Sequence, residues 1–321
     1  MQDPLTLIKS ELENIEDALH QYLNSQHPFI NEVSHYIVFS GGKRVRPLLC
    51  VLCAKLFSPK DVNLLYKTSI LFEYLHAATL LHDDVVDDAE FRRGRKAARN
   101  LWGNQATILV GDYLYAKSLR IASYLKDPEV MDVITQTTLL MSEGEVLQLI
   151  NFDNPALTEE DYEDVIFRKT AVLISASCEV GALLGGASGE DRETLRDFGK
   201  AIGMAFQVVD DLLDYTSTET GKDLGKDFKE GKITLPVIYA LESASEEDKK
   251  LLLELFQKKS SEQEDFETAK AIIEKYDGFK KTYEKAENFV NQAKELLKKL
   301  PDTQTKPALE FITDYILKRK K

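Results

Sequence analysis

Residues 70–88, ILFEYLHAATLLHDDVVDD, decide the fold class. The stretch is apolar except for one set of polar side chains that recur every three or four residues: Glu73, His76, Thr79, Asp83 and Asp87. Because such steps stay on one face of an α-helix, the spacing predicts a long helix with a single polar stripe. The stripe gathers like charges that repel one turn apart, which is untypical of a solvated face. It indicates a helix that lines a wet interior cavity.

Residues 204–216, MAFQVVDDLLDYT, repeat the D-D-x-x-D spacing with Asp210, Asp211 and Asp214. Gln207 precedes Asp211 by one turn, which places it on the same face. One such motif could arise by chance in an acidic chain, but two, each within an apolar helix, indicate a function. Carboxylates in this pattern suit Mg²⁺, which takes one or two protein oxygens and leaves its other positions to water and phosphate. Both clusters lack histidine and cysteine, which disfavours zinc.

The rest of the chain is also helical in pattern. Apolar residues recur at three- and four-residue spacing and no segment alternates like a strand, which predicts an all-α protein of about ten or more helices. Helix starts are predicted at Ser58-Pro59, at Asp127-Pro128 and at a capping box beginning with Thr158. We predict a single large domain over residues 1–321, with the motifs at 35–240 and amphipathic outer helices at 245–321.

The charge of the chain limits its partners. With 41 basic and 54 acidic residues, the formal net charge is −13, so we expect no binding to nucleic acid, which requires clustered Lys and Arg. Anionic substrates would be repelled unless cations intervene, and a divalent metal at the aspartate clusters is the natural counter-charge. The basic residues 318–321 at the C terminus are predicted to be a solvated helix end.

Three cysteines, Cys50, Cys53 and Cys178, are too few and odd in number for a disulfide framework, and favour a reducing compartment such as the cytoplasm. Cys50 and Cys53 form a C-x-x-C, which we interpret as two small apolar residues on a buried helix face. No apolar run approaches the roughly 18 residues of a membrane span. The N terminus is unlike a signal peptide.

Basic residues accompany the aspartate clusters. The segment GGKRVRP (41–47) places Lys43 and Arg46 at a predicted helix start, where a diphosphate would bind well. Arg92 and Arg93 follow the first cluster. Lys169 lies in an otherwise apolar helix and Lys232 follows the second cluster. Each alone is more typical of a surface residue, but their positions beside the clusters favour a shared site.

These motifs resemble those of the trans-prenyl diphosphate synthases, also called polyprenyl synthetases, and most of all the bacterial octaprenyl and related long-chain synthases. The matching stretches occur in that family's order and spacing: GGKRVRP (41–47), LLHDDVVDDAEFRRGR (80–95), GDYLYAKS (111–118), EGEVLQL (143–149), FRKTAVL (167–173) and FQVVDDLLDYTSTETGKDLGKDFKEGKITLP (206–236). The resemblance implies antiparallel helices around a deep central active-site cavity, in a homodimer. Lys226 departs from the acidic residue common in long-chain relatives, and we interpret it as a surface change.

The resemblance also implies roles for individual residues. Isopentenyl diphosphate would bind at Lys43, Arg46, His76 and Arg93. The metal ligands would be Asp83, Asp87 and Asp210, holding about three Mg²⁺, with Asp84, Asp211 and Asp214 close by. The allylic diphosphate would bind through the metal ions and Arg92, Lys169 and Lys232, and the allylic cation would lie near Thr170 and Gln207. The departing diphosphate would then remove the proton, so no side chain is needed as a general base.

Product length would depend on the residues one turn or more before Asp83. Short-chain members of this family tend to carry an aromatic residue at the fourth or fifth position before the motif, whereas this chain has Thr79 and Ala78, with Leu75 deeper. Five residues of helix rise about 7.5 Å, one or two isoprene units, so a small residue leaves a tunnel open beyond that depth. We therefore expect an all-trans product of about C30 to C50, with C40 the best single value.

Four other functions stay open. A shorter-chain synthase, making geranylgeranyl or farnesyl diphosphate, would use the same motifs. A terpene cyclase shares the helical fold, but its second metal motif is usually of an N-S-E type and it lacks GGKRVRP. A non-catalytic subunit of a heteromeric synthase loses aspartates, and none is missing here. A helical scaffold without activity would not release diphosphate in the presence of Mg²⁺.

Overall fold

The computed structural model describes residues 3–152, 154–217, 224–259 and 262–319. Stretch 218–223 of the last motif therefore lies outside the described residues. The described chain is all-α, as predicted, and its helices are α1 (Pro4–Tyr22), α2 (Pro28–Val38), α3 (Val45–Lys55), α4 (Val62–Val86), α5 (Ala98–Tyr124), α6 (Pro128–Ile150), α7 (Glu159–Ile166), α8 (Val172–Gly185), α9 (Gly189–Thr216), α10 (Lys226–Glu230), α11 (Leu235–Ser243), α12 (Glu246–Lys258), α13 (Gln263–Lys275), α14 (Gly278–Lys299) and α15 (Lys306–Lys318). A π-helical segment, Phe167–Ala171, connects α7 to α8. Within these ranges no helix is long and apolar enough to cross a membrane.

Two of the three predicted helix starts are confirmed. Helix α6 begins at Pro128, and Thr158 forms a capping box before α7 with the side chain of Asp161. The start at Ser58-Pro59 is wrong, because α4 begins at Val62. Asp61 is the N-cap instead, and its Oδ1 accepts a hydrogen bond from the backbone N–H of Leu64 at 2.9 Å, which satisfies a helix-end donor.

A two-stranded ribbon between α4 and α5 was not predicted from the sequence. Strands β1 (Phe91–Arg92) and β2 (Arg95–Lys96) pair antiparallel around the turn Arg93-Gly94. Both turn residues have positive φ, +53° and +73°, as the tightest hairpin turns require. The ribbon therefore presents Arg92 and Arg93 from a fixed backbone.

The described chain divides into two compact units that are interleaved in sequence. Unit 1 comprises residues 3–137, 176–195 and 301–309, and unit 2 comprises residues 138–175, 196–300 and 310–319. Each unit contains one of the two aspartate clusters. The single domain over residues 1–321 stays a prediction.

In unit 1, α8 packs directly against α3. A side chain at Gly181 would lie 2.4 Å from the carbonyl oxygen of Cys50, and one at Gly185 would lie 2.6 Å from that of Ala54. Cys50 and Cys53 are both buried and not disulfide-bonded, and burial raises the pKa of each thiol. The C-x-x-C is therefore a packing element of a buried helix face, as predicted.

In unit 2, two glycines allow close packing around the π-helical segment. A side chain at Gly144 of α6 would lie 2.8 Å from the backbone nitrogen of Lys169, and one at Gly203 of α9 would lie 2.7 Å from Cα of Ala171. Only glycine fits at either position. The segment is thereby fixed between α6 and α9, and it carries Lys169 and Thr170. Single π turns of this kind occur frequently at functional sites.

Helices α12–α15 have one apolar face each, which confirms the amphipathic pattern predicted for residues 245–321. In α14 the buried residues recur every three or four positions: Gly278, Thr282, Ala286, Val290, Ala293 and Leu297. This spacing is that of one helix face packed on a core.

Candidate active site

The first aspartate cluster lies at the C-terminal end of the 25-residue helix α4. Asp83 is half-buried, and Asp87 is exposed and caps the helix, its N–H donating to the carbonyl of Asp83 at 2.8 Å. The partial negative charge at a helix C terminus disfavours carboxylates. A cluster of aspartates there is costly for stability unless cations offset it, which supports a cation-binding role.

Arg92 supplies one such cation within unit 1. Its Nε and Nη2 both donate to Oδ1 of Asp84, at 2.8 and 2.5 Å. The other carboxylate oxygen of Asp84, Oδ2, is buried and has no hydrogen-bond partner among the described residues. Asp84 is thus held by Arg92 through one oxygen and still has an acceptor available to a metal ion or its water.

The predicted isopentenyl diphosphate residues lie around a buried ion pair in unit 1. Arg44 donates to Glu73 and to Glu16, in both cases at 2.7 Å. Arg93 donates to the carbonyl of Gly41, and a side chain at Gly42 would lie 3.2 Å from its guanidinium. The loop before α3 and the ribbon are therefore joined through arginine side chains.

The electrostatics of this region favour an anion. Burial, and next the charges of Arg46 and Arg93, lower the pKa of His76 well below 6.5, so the ring is neutral at neutral pH. Burial also lowers the pKa of Arg46 to about 10, despite the opposing effect of Glu73, so this guanidinium stays charged. Its Nε is buried without a hydrogen-bond partner in the described part of the chain. A buried donor left unpaired in this way is available to an anion.

The structure places Lys43 at the exposed edge of the same loop, one residue before Arg44. The predicted chain-length residues lie further along α4, where Leu75 and Ala78 are buried and Thr79 is half-buried. Thr79 donates to the carbonyl of His76 at 2.9 Å, so its hydroxyl is bound to its own helix.

The second cluster lies at the C-terminal end of the 28-residue helix α9 in unit 2. A pocket beside it is lined by Asp211 together with all four predicted allylic-site residues of that unit: Lys169, Thr170, Gln207 and Lys232. Its remaining lining is largely apolar, with Phe152, Tyr162 and Ile233 among the residues. The pocket thus combines charged groups with an apolar wall. Arg92, the fifth residue predicted for the allylic diphosphate, lies in unit 1.

A chain of hydrogen bonds orders the polar groups of this pocket. Thr170 donates to Oε1 of Gln207 at 2.9 Å, and Nε2 of Gln207 donates to Oδ1 of Asp211 at 2.7 Å. The hydroxyl of Tyr162 donates to Oδ2 of Asp211, also at 2.7 Å. Burial raises the pKa of Asp211 to about 7, and Lys232 opposes that rise. The two hydrogen bonds therefore fix the orientation of the Asp211 carboxyl, and a nearby cation would favour its charged form.

Carboxylates hold the two pocket lysines in place. Lys169 lies 2.8 Å from Glu145, within the EGEVLQL motif. Lys232 lies 3.3 Å from Asp227. Burial alone would lower the pKa of Lys232, but Asp227 and Asp211 raise it overall, so the ammonium stays charged.

Asp214 and Asp210 have different surroundings. Asp214 is buried, and its Oδ2 accepts from the backbone N–H of Asp227 at 3.0 Å, so it anchors the loop that carries Lys232. Asp210 lies 3.2 Å from Arg319, whose side chain is buried. The solvated tail predicted for residues 318–321 is therefore wrong at Arg319, because its guanidinium lies over the ring of Phe206 at 4.0 Å.

Lys226 is exposed and pairs with Glu230, as a surface residue does.

Among the described residues, no group of three or more His, Cys, Asp or Glu side chains is arranged to hold a metal ion by itself. Mg²⁺ binds through one or two carboxylates and takes its other ligands from water and phosphate. The acceptor left on buried Asp84 and the aspartates at two helix C termini fit such an ion.

Sequence reasoning missed several residues that support the site. Tyr162 and Arg319 bind aspartates of the second cluster from distant parts of the sequence, and no local pattern marks them. Asp227, Glu143 and Glu145 lie inside the quoted motifs, and the available signal was that these motifs contain acidic as well as basic residues. Glu143 pairs with Arg168, Glu145 with Lys169 and Asp227 with Lys232.

Known proteins are similar to this chain in sequence and in fold. The Polyprenyl synthetase family profile matches residues 27–273. The chain is 35% identical to octaprenyl diphosphate synthase of Escherichia coli over 305 residues, 94% of each chain. It is 34% identical to heptaprenyl diphosphate synthase component 2 of Bacillus subtilis, over 98% of this chain and 90% of that one. It is also 34% identical to geranylgeranyl diphosphate synthase of Sulfolobus acidocaldarius, over 96% of both.

Two solved structures are similar along almost their whole length. A decaprenyl diphosphate synthase from Rhodobacter capsulatus has a TM-score of 0.93 and 37% identity, over 99% of this chain and 98% of that one. A polyprenyl synthase from Caulobacter crescentus, complexed with calcium and isoprenyl diphosphate, has a TM-score of 0.92 and 32% identity, over 99% and 97%. With the family matched over most of its length, this chain belongs to the polyprenyl synthetase family and is a prenyltransferase.

Proposed function

We propose that the chain is a trans-polyprenyl diphosphate synthase. It condenses isopentenyl diphosphate head-to-tail (1′-4) onto an allylic diphosphate such as farnesyl diphosphate, in repeated cycles. The observation that carries the proposal is the placement of two D-D-x-x-D clusters at the C-terminal ends of α4 and α9, each with cationic side chains beside it. Carboxylates at helix ends that disfavour them are best explained by bound cations.

Mg²⁺ is the proposed metal, about three ions for each chain. In unit 1 Asp83 and Asp87 would ligate it, with Asp84 close by. In unit 2 Asp210 would do so, next to Asp211 and Asp214. The Caulobacter relative, described with calcium and isoprenyl diphosphate, supports this pairing of divalent metal with substrate. When bound, the metal neutralises charge on the diphosphate as it leaves.

Isopentenyl diphosphate is proposed to bind in unit 1. Arg46 and Arg93 supply fixed positive charge, Lys43 supplies a cation at the loop edge, and His76 stays neutral beside them. The unpaired Nε of Arg46 supports an anion at this position. This site needs no metal, because arginine pairs with phosphate directly.

The allylic diphosphate is proposed to bind in unit 2 through the pocket lysines Lys169 and Lys232. In unit 1, Arg92 is proposed to supply positive charge at the first aspartate cluster. The C–O bond of the allylic diphosphate breaks, and the electron pair leaves with the diphosphate. The oxygens of Thr170 and Gln207, ordered by their mutual hydrogen bond, face the allylic cation and favour it. The double bond of isopentenyl diphosphate then forms the new C–C bond, and a proton leaves to the departed diphosphate.

The proposed product is a long all-trans chain of about C30 to C50, with C40 the best single value. The octaprenyl, heptaprenyl and decaprenyl relatives support this range. A geranylgeranyl synthase of nearly the same identity supports the shorter-chain alternative. The buried small residue Ala78 favours the longer product.

A homodimer is proposed as the active form. Helix α5 leaves large apolar side chains exposed in unit 1: Leu101, Ile108, Leu109 and Tyr115. An exposed apolar row of this kind is typical of an interface. Light scattering on an active sample tests the proposal, and a monomeric mass would contradict it. The Bacillus relative is called component 2, so a requirement for a second, different subunit is the alternative.

The purified chain alone, given farnesyl diphosphate and isopentenyl diphosphate, tests the function. Mg²⁺-dependent release of diphosphate with a lengthened prenyl product is expected. A cyclic hydrocarbon product would indicate a terpene cyclase. Absence of any release would favour a partner subunit or a scaffold. Chromatography of the dephosphorylated products separates these results and measures chain length.

A further inference from the structure

Arg319, directly after α15, lies against the second aspartate cluster in unit 2. Its guanidinium lies 4.0 Å from the ring centre of Phe206, and its Nη2 lies 3.2 Å from Oδ1 of Asp210. Phe206 and Asp210 are one turn apart on α9, so one planar guanidinium reaches both. The position is defined by one contact to an aromatic face and one to a carboxylate.

The burial of this side chain is unusual. Arginine is rarely buried unless paired, and its long side chain loses rotamer entropy when it is fixed. The side chain of Arg319 is nevertheless only 8% exposed. The single long hydrogen bond to Asp210 satisfies one of its five N–H donors.

Two further donors of Arg319 are left unpaired. Nε and Nη1 are both buried, and neither has a hydrogen-bond partner within the part of the chain that the structure describes. A buried charged donor without an acceptor costs free energy, so native proteins seldom keep one without a ligand to meet it. Nε and Nη1 lie on either side of Nη2, so each can act together with the second N–H of Nη2 and donate two parallel hydrogen bonds to the oxygens of a phosphate.

We propose that Arg319 is a further diphosphate-binding residue of the second aspartate cluster. Through one of its unpaired donors, Nε or Nη1, together with the second N–H of Nη2, it would bind the diphosphate whose metal ion Asp210 would hold. This rests on the proposed function, which places a metal-bound diphosphate at that cluster. The C-terminal segment would thereby contribute directly to the allylic diphosphate site, although the last of the quoted family motifs ends at residue 236.

Arg319 should change the affinity for Mg²⁺ alone and the affinity for diphosphate with Mg²⁺ in opposite directions. Without diphosphate, Mg²⁺ at Asp210 and the guanidinium of Arg319 repel each other and compete for the same carboxylate. With diphosphate bound, the anion would be attracted by both the metal ion and the guanidinium. Arg319 should therefore weaken the binding of Mg²⁺ alone and strengthen the binding of diphosphate in the presence of Mg²⁺. A purely structural contact between Arg319 and Asp210 predicts only the first effect.

Calorimetric titration of the full chain tests this. Three titrations are made: inorganic diphosphate in saturating Mg²⁺, inorganic diphosphate without Mg²⁺, and Mg²⁺ alone. Metal-dependent diphosphate binding is taken as the difference between titrations with and without Mg²⁺, which removes binding at metal-free cationic sites. For Arg319→Ala we expect a loss of about tenfold to a hundredfold in that affinity. Arg319→Lys keeps the positive charge but lacks the two parallel N–H donors of a guanidinium, so it should recover part of the lost affinity. Lys318→Ala is the matched control, since Lys318 is exposed on the same segment, and should bind as the wild type does.

The outcomes separate the two proposals. If the wild type shows no metal-dependent diphosphate binding, the proposed function fails. If the wild type binds and Arg319→Ala binds equally well, only the role of Arg319 is overturned. Thermal melting of each variant accompanies the titrations. If Arg319→Ala does not fold, the Arg319→Lys variant is compared with the wild type instead. An unchanged affinity in Arg319→Lys would overturn the proposed role of the guanidinium donors.

Discussion

Nη1 of Arg44 lies 2.7 Å from Oε1 of Glu73, and the two side chains are only 4% and 6% exposed. Arg44 has a left-handed backbone conformation (φ +48°) immediately before α3, and its Nε also donates to Glu16. Its charge is thus committed to carboxylates of α1 and α4. The neighbouring Arg46, with an unpaired Nε, is the residue left for an anion.

Glu73→Gln should destabilise the fold by about 3 kcal/mol. Removal of one partner from a buried ion pair leaves a desolvated charge, and Glu16 compensates only in part, so the lower end of the usual range applies. Urea unfolding measures the change. Glu129→Gln, in the more exposed pair with Arg192, is the control and should cost at most about 1 kcal/mol. Equal losses in both variants would contradict the assignment of Arg44 as an anchor.

His76 should make the metal-free protein less stable in acid. Burial and the nearby arginines lower its folded-state pKa well below 6.5, whereas in the unfolded chain it titrates near that value. Its contribution to stability is therefore present above about pH 6.5 and is lost as pH falls toward the folded pKa. Between pH 7 and 5 the free energy of unfolding should fall more steeply in the wild type than in His76→Gln, by up to about 1.4 kcal/mol per pH unit. Parallel curves for the two proteins would show that His76 is accessible and unshifted.

The sequence predicted most of the helical architecture, because apolar periodicity and capping residues are local. The error at Ser58-Pro59 is also local: three residues later, Asp61 offers a carboxylate acceptor to the first turn of α4 and becomes the cap. A Ser-Pro pair and an aspartate both signal a start, and the choice between them depends on where the helix packs.

The supporting contacts of the site could not be predicted. Tyr162 reaches Asp211 and Arg319 reaches Asp210 only because distant segments pack together in unit 2. The π turn at Phe167–Ala171 likewise depends on α6 and α9 approaching through Gly144 and Gly203. Such features arise from tertiary packing, which a single sequence does not display.

Asp83→Ala and Asp210→Ala should each lower turnover by about 10²–10³ or more, because each removes a ligand from the cation that stabilises the leaving group. The fold of Asp83→Ala should stay intact, since a carboxylate at a helix C terminus contributes at most about 1 kcal/mol, and unfavourably. Asp210→Ala also removes the acceptor of the buried Arg319 guanidinium, so this variant should lose stability, and its thermal melting is measured before its kinetics. Steady-state kinetics across a Mg²⁺ series measures the effect. Asp88→Ala is the matched control, as Asp88 is exposed at the same helix end and pairs with Arg99. Near-normal turnover with unchanged Mg²⁺ dependence in either cluster variant would rule out the metal assignment.

Lys43→Ala and Arg46→Ala should weaken isopentenyl diphosphate far more than the allylic substrate. A charge-assisted contact to a phosphate is worth about tenfold to a hundredfold in affinity, and residues 41–47, which carry both side chains, contain no carboxylate. KM values measured for each substrate in turn provide the comparison. Arg95→Ala is the control, because Arg95 lies on the ribbon but over Tyr36. Equal losses for both substrates would refute the division of the two diphosphate sites.

Product length depends, by proposal, on the path past Ala78 in α4. Ala78 lies five residues before Asp83, a rise of about 7.5 Å, which accommodates one or two isoprene units. It is 2% exposed, and Tyr74 and Leu75, one turn deeper, are also buried. A small side chain at this depth would let the chain continue, and an aromatic ring would close the path.

Ala78→Phe should therefore shorten the product to about C15–C20, because the ring would stop the growing chain one or two units beyond the cluster. The larger side chain should also cost about 1–3 kcal/mol of stability, as overpacking does. Ala77→Phe is a close control: Ala77 is 3% exposed, and its side chain points about 100° away around the same helix. Thin-layer analysis of dephosphorylated products compares the three proteins. If the path follows the Ala78 face, only Ala78→Phe shortens the product, whereas Ala77→Phe loses stability and keeps the long chain. Long products from a folded, active Ala78→Phe enzyme would show that the chain grows along another face.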